Sequence, residues 1–105
     1  MVTKTLKEVQ LYNQRDLFIS ELPLSGKRKL SIAISLVSNP KIIFMDEPTT
    51  GLDPDSRRMI WSILQDVKKS KDRAMILTTH SMEEADVLCN RIGIINDGVI
   101  KCLGT

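Results

Sequence analysis

Three residues could do chemistry together: Asp46 and Glu47, adjacent at the end of a short apolar run, and His80, the only histidine. A carboxylate pair directly after a buried strand suits a magnesium nucleotide. Asp46 would hold the ion, mostly through water, because Mg²⁺ gives up its hydration shell reluctantly. Glu47 would orient or deprotonate an attacking water. An imidazole at position 80 could hydrogen-bond a terminal phosphate and also the carboxylate base. Each feature also has a plainer reading. Asp46-Glu47-Pro48 can simply end a strand and open a turn, and a lone histidine can be a structural or surface residue.

The elements around these residues bring them to one edge. Leu30, Ala33, Ile34 and Val37 fall at i, i+3, i+4 and i+7, one face of a helix, and Asn39-Pro40 stops it. Ile42 to Met45 is a continuous apolar run that reads as a strand buried on both faces. Asp53 offers an N-cap with Pro54 at the first helical position, and Ile60, Ile63, Leu64 and Val67 repeat the helical spacing. Ala74 to Thr78 reads as a second apolar strand. Ser81 and Glu84 form a Ser-x-x-Glu capping box, opening a helix through about Leu88. Arg91–Asn96 and Val99–Cys102 flank Asp97-Gly98, a hairpin turn. Ahead of all this, Lys4 to Leu11 carries a weak helical pattern and Tyr12 to Pro23 connects.

Helix, strand, helix, strand, helix, hairpin is the order of an α/β chain with parallel strands and helical crossovers. Functional groups in such sheets gather past the carboxyl ends of the strands. Asp46-Glu47 follows one strand and Thr79-His80 the next, so both project toward the same edge.

Composition narrows the class. The chain has 105 residues, 42% hydrophobic and 27% charged, with a formal net charge of +2. That excludes a disordered or low-complexity segment and gives no electrostatic case for nucleic acid. Lys27-Arg28-Lys29 and Lys68-Lys69 read as solvated faces. Cys89 and Cys102 lack metal or redox spacing, so they read as reduced thiols. No apolar run reaches the roughly 18 residues that a membrane span requires, so no direct membrane insertion is expected of this segment.

Four stretches together resemble the C-terminal half of an ABC-transporter nucleotide-binding domain. IIFMDEP (Ile42 to Pro48) is similar to the Walker B strand and the glutamate after it. TTGLDP (Thr49 to Pro54) resembles the D-loop, and Thr79-His80 resembles the switch-histidine loop. Leu24-Ser25-Gly26 before Lys27-Arg28-Lys29 resembles the signature motif with its helix, 24–39. The resemblance covers nearly the whole chain, and KRKLSIAISLVSNPKIIFMDEPTTGLDPDSRRMIW and HSMEEADVLCNRIGIINDGVIKCLGT are most similar to the A subfamily, whose members are mostly associated with lipid movement. It implies an α/β partial P-loop NTPase fold with ATP and Mg²⁺ as cofactors of a complete domain pair. Its partners would be a second nucleotide-binding domain and transmembrane domains, at the cytoplasmic face of a membrane; a free-standing chain would be cytosolic. In that family Asp46 would serve the metal, Glu47 and His80 catalysis, Asp53 coupling between the paired sites, and Ser25 and Gly26 the γ-phosphate of the opposite domain's ATP.

Two departures qualify this. No Gly-x-x-x-x-Gly-Lys-Ser/Thr phosphate loop occurs in the chain, and neither Gln14 nor Tyr12 sits in a motif that gives it a nucleotide role. The family signature is Leu-Ser-Gly-Gly-Gln, whereas this chain runs Leu22-Pro23-Leu24-Ser25-Gly26-Lys27. Either a Gly and a Gln are missing after Gly26, or Leu22 to Gly26 replaces the motif position by position. The chain by itself is therefore expected to hold ATP very weakly and turn none over. Two other classes compete with a transporter fragment: a non-catalytic piece that docks on an intact nucleotide-binding domain, and a DNA-associated ATPase, against which the lack of coiled-coil heptads argues.

Overall fold

Asn39 stops the helix before the first strand, and its backbone shows how. The computed structural model, which describes residues 2–69 and 72–105, places Asn39 in the left-handed region at φ 54°, and its amide closes on the Leu36 carbonyl at 2.9 Å. Asn tolerates that conformation, a common helix ending. The helix so ended is α2 (Leu24–Leu36), preceded by α1 (Val2–Glu8) and two single 3₁₀ turns, Tyr12–Gln14 and Ile19–Glu21. Then follow β1 (Ile42–Asp46), α3 (Pro54–Lys68), β2 (Ala74–Thr78), α4 (Met82–Leu88), β3 (Ile92–Asn96) and β4 (Val99–Gly104). The expected order of elements is present, with α2 ending three residues short of the expected Asn39.

β1 and β2 pair in parallel with α3 as the crossover, and the register sets Phe44 opposite Ile76 and Asp46 opposite Thr78. Arg73 pins the entry to the pair: its Nε donates to the Pro40 carbonyl at 3.1 Å and its Nη2 to Asn39 Oδ1 at 2.8 Å. β3 and β4 form a separate antiparallel hairpin with an irregularity at Ile94/Ile95. Its turn takes φ 52° at Asp97 and 75° at Gly98, the pair of positive values that a two-residue type I′ connection requires.

The core is built on α3. Ile60, Ile63 and Leu64 are fully buried, with Trp61 and Val67 beside them, and they pack with Ile32, Ala33 and Leu36 of α2, Ile43 and Met45 of β1, Val9 and Leu88. Burying one such side chain contributes about 1.5–3 kcal/mol. Asp53 caps α3 as expected, accepting from the Ser56 amide at 3.3 Å, with Pro54 at the first helical position.

Three expectations need correction. β1 is buried on one face only: Ile43 and Met45 are inside, while Ile42 is 58% and Phe44 74% exposed. The helical core lies against one side of the β1–β2 pair, and none of the described residues covers Ile42, Phe44 and Ile76 on the other. Nor is Lys27-Arg28-Lys29 a uniformly solvated face. Lys27 is exposed, Arg28 half-buried and engaged with backbone carbonyls, and Lys29 buried, where desolvation lowers its ammonium pKa. The capping box forms only by half. Ser81 Oγ accepts from the Glu84 amide at 3.2 Å, but the Glu84 carboxylate turns inward and the Ser81 amide donates instead to Thr79 Oγ1 at 3.0 Å.

Candidate active site

The two parallel strands end side by side, and their register delivers the expected groups to one edge. Asp46 is the last residue of β1, and its partner across the pair is Thr78, the last of β2. Thr78 Oγ1 donates to Asp46 Oδ1. Side chains alternate along a strand, so Asp46 and Thr78 continue the open face begun by Ile42, Phe44 and Ile76.

Glu47 departs from the strand. Its φ of 46° is left-handed, a conformation that costs a non-glycine residue free energy and persists where surrounding bonds impose it. Those bonds are visible. The Glu47 amide donates to the Thr78 carbonyl at 3.0 Å and lies 3.1 Å from Thr78 Oγ1. From the other side, Arg28 of α2 reaches the same loop: Nη1 donates to the Pro48 carbonyl at 2.7 Å and to that of Glu47 at 3.3 Å, and Nη2 to that of Thr50 at 3.0 Å. The planar guanidinium suits three carbonyls curved around it.

His80 completes the arrangement. Its Nε2 lies 2.5 Å from Glu47 Oε1, with the imidazole 93% and the Glu47 side chain 32% exposed. An exposed pair of this kind adds little to stability. Its consequence is geometric, because an imidazole and a carboxylate are held in contact at the end of the sheet. Asp46, Glu47 and His80 are thus brought together, as the order of elements implied.

The other three candidates sit apart from that contact. Asp53 spends its carboxylate on the α3 N-cap, and the side-chain and backbone hydrogen bonds from Ser56 lower its pKa. Ser25 and Gly26 occupy the first turn of α2, whose N-cap is Pro23 with no side-chain cap. A Cβ on Gly26 would lie 3.3 Å from Leu22 Cβ and from Pro23 Cδ, so local packing alone accounts for that glycine. The start of α2 borders the loop after Glu47, since a Cβ on Gly51 would lie 4.0 Å from Leu24 Cδ2.

Sequence reasoning missed four contributors: Thr78, Arg28, Thr49 and Trp61. The register of the strands would have found Thr78, had the pairing been known. Thr49 Oγ1 donates to Glu84 Oε2, and Trp61 Nε1 donates to the same oxygen at 2.9 Å. Glu84 is 1% exposed, and residues 49 and 84 lie too far apart in sequence for spacing to join them.

The residues fit a hydrated divalent cation better than a protein cage. One exposed carboxylate with a hydroxyl beside it offers hard oxygen donors and leaves most positions to water, and no group of three or more His, Cys, Asp or Glu among the described residues is placed to hold a metal ion by itself. No helix among them is long and apolar enough to cross a membrane.

Comparison with known proteins agrees with this geometry. Residues 15–86 match a family model described as "AAA domain, putative AbiEii toxin, Type IV TA system". Across its full length the chain is 51% identical to ABC transporter A family member 2 of Arabidopsis thaliana, and over 102 residues 50% identical to A family member 9 of the same plant, covering 10% of each. It therefore spans about a tenth of these relatives. Among solved structures, cbiO1 from Clostridium perfringens, part of the ABC transporter complex cbiONQ, superposes with a TM-score of 0.90 at 28% identity, over 98% of this chain and 41% of that one. MJ1267, an ATP-binding cassette of an ABC transporter, shares the fold with a TM-score of 0.88 at 24% identity, over 98% and 40%. The chain belongs to this ATPase-domain family and has the partial P-loop NTPase fold of an ABC-transporter nucleotide-binding domain, most similar to those of the A family.

Proposed function

We propose that this chain supplies the hydrolytic half of an ABC-type ATPase domain that powers membrane transport, of lipids by the A-family likeness. The observation that carries the reading is the 2.5 Å contact between His80 Nε2 and Glu47 Oε1 beside Asp46. Mg²⁺, held by Asp46 largely through water, would neutralise charge on the phosphates. Glu47 accepts a proton from the attacking water as that water lines up with the γ-phosphate. The contact with His80 keeps the Glu47 carboxylate aimed, and the imidazole N–H can turn from there to donate to a γ-phosphate oxygen. Asp53 couples this site to a second one across a domain pair, and Ser25 and Gly26, at a helix N-terminus, approach the γ-phosphate bound by the partner domain. The phosphate loop must come from sequence outside this chain. Transmembrane domains would be the further partners, which puts the assembly at the cytoplasmic face of a membrane.

The test joins the chain to the phosphate-loop half of the Arabidopsis A family member 2 domain. Steady Mg-ATP turnover, cut about 10²–10⁴-fold by Glu47→Gln, is the expected result, with no turnover from the 105-residue chain alone. Unreduced turnover in the Glu47→Gln domain would overturn the reading. A second reading, a non-catalytic piece that docks on an intact domain, is favoured by the open apolar face of Ile42, Phe44 and Ile76. It predicts that the chain binds a complete domain while the joined protein hydrolyses nothing.

A further inference from the structure

A carboxylate buried to 1% exposure is costly to desolvate, and none of the roles assigned above uses Glu84. Its Oε2 accepts from two neutral donors, the Thr49 hydroxyl and the Trp61 indole at 2.9 Å, both themselves buried. Hydrogen bonds to an ionised acceptor are strong and directional. The three residues come from three elements: the loop after β1, α3 and the first turn of α4. Thr49 lies two residues after Glu47, and Glu84 lies four after His80. The two short chain segments and the two side-chain contacts therefore close a ring, Glu47–Thr49–Glu84–His80, with the imidazole–carboxylate contact as its last link.

We propose that Glu84 is a positioning residue: by gripping Thr49 while braced on Trp61, it ties the Glu47 loop to the His80 turn and sets the contact between those two side chains. The inference rests on the reading of Glu47 and His80 given above. Arg28 and Thr78 hold the loop through its backbone, but neither reaches α4. The Thr78–Asp46 bond ties the strand ends together, and the Thr49–Glu84 bond carries the tie on from the Glu47 loop to α4.

The chain carries one histidine and one tryptophan, so both ends of the tie can be read in the protein without activity. The ring-proton resonances of His80 at pH 7 report its contact with Glu47, and the emission of Trp61 reports the folded core. Glu47→Gln provides the reference position for a His80 without its partner. Thr49→Val, nearly isosteric but lacking the hydroxyl, should move the His80 resonances to that reference while Trp61 emission stays that of the folded chain. Thr49→Ser should leave them where the unsubstituted chain has them. A purely structural hydroxyl would lower the melting temperature without moving His80. His80 unmoved in folded Thr49→Val, when Glu47→Gln does move it, overturns the tie alone. His80 unmoved by Glu47→Gln removes the pair itself and takes both readings down. Should valine unfold the chain, Thr49→Ala is read in its place against the same two outcomes.

Discussion

Arg28 Nη1 donates to the Pro48 carbonyl at 2.7 Å, and through that bond α2 holds the loop that follows β1. The same guanidinium also reaches the Glu47 and Thr50 carbonyls, so one side chain satisfies three backbone acceptors in a loop that has no strand partner beyond Thr78. Arg28→Ala should therefore cost about 1.5–3 kcal/mol, the range for a hydrogen bond to a charged group. Arg28→Lys should recover only a part, because a compact ammonium cannot span three curved carbonyls. Urea denaturation of the three proteins side by side measures both differences.

Asp53 gives a pH signature. Its carboxylate is held below the ordinary value of 3.8, first by the Ser56 side chain and then by the Ser56 amide. A depressed folded pKa contributes stability that is present above the unfolded value and lost as pH falls through the folded one. Asp53→Ala should thus lower the melting temperature at pH 7, and the gap to the unsubstituted chain should close as pH drops below 3.8. Asp53→Asn, still a good N-cap, should remain close to the unsubstituted chain at pH 7. Thermal melts between pH 7 and pH 2.5 provide the check.

How far the site was legible follows from the range of the interactions that build it. Asp53 and Ser81 were readable as helix caps because a cap is a contact across three residues. The common edge of Asp46-Glu47 and His80 was readable because alternating strands and helices force parallel strands to end together. Glu84 was misread in part for the same reason. Ser-x-x-Glu spacing describes only a local bond, whereas the carboxylate is claimed by Thr49 and Trp61, 35 and 23 residues away. Arg28 was hidden inside a basic run whose three members have three different environments. The apolar run of β1 looked buried on both faces because composition cannot say whether a covering layer is supplied by the same chain.

The two cysteines should separate by reactivity. Cys89 is half-buried, and burial raises its thiol above the ordinary 9.0, with Lys68 opposing and Glu84 reinforcing the shift. Cys102 lies exposed on β4. Because the thiolate is the attacking species, an aromatic disulfide reagent at pH 7.5 should modify one thiol quickly and the second slowly. Cys102→Ser should remove the fast phase and leave the slow one. A fast phase that survives in Cys102→Ser would place the reactive thiol at Cys89 and contradict the burial.

Phe44 separates the chain as it stands from the chain in its proposed setting. It is 74% exposed on the open face of β1, opposite Ile76 and two rungs from Asp46 and Thr78. Substitutions at such exposed positions fall within about 0.5 kcal/mol, so Phe44→Ser should leave the urea midpoint of the 105-residue chain nearly unchanged. If the phosphate-loop half covers that face, the joined domain buries the ring. The same substitution there should cost about 3–5 kcal/mol, as for a large aromatic lost from a core. Equal and small effects in both proteins would mean that the open face stays open, and the docking of the second half would have to be sought at the free edges of β2 and β3 instead.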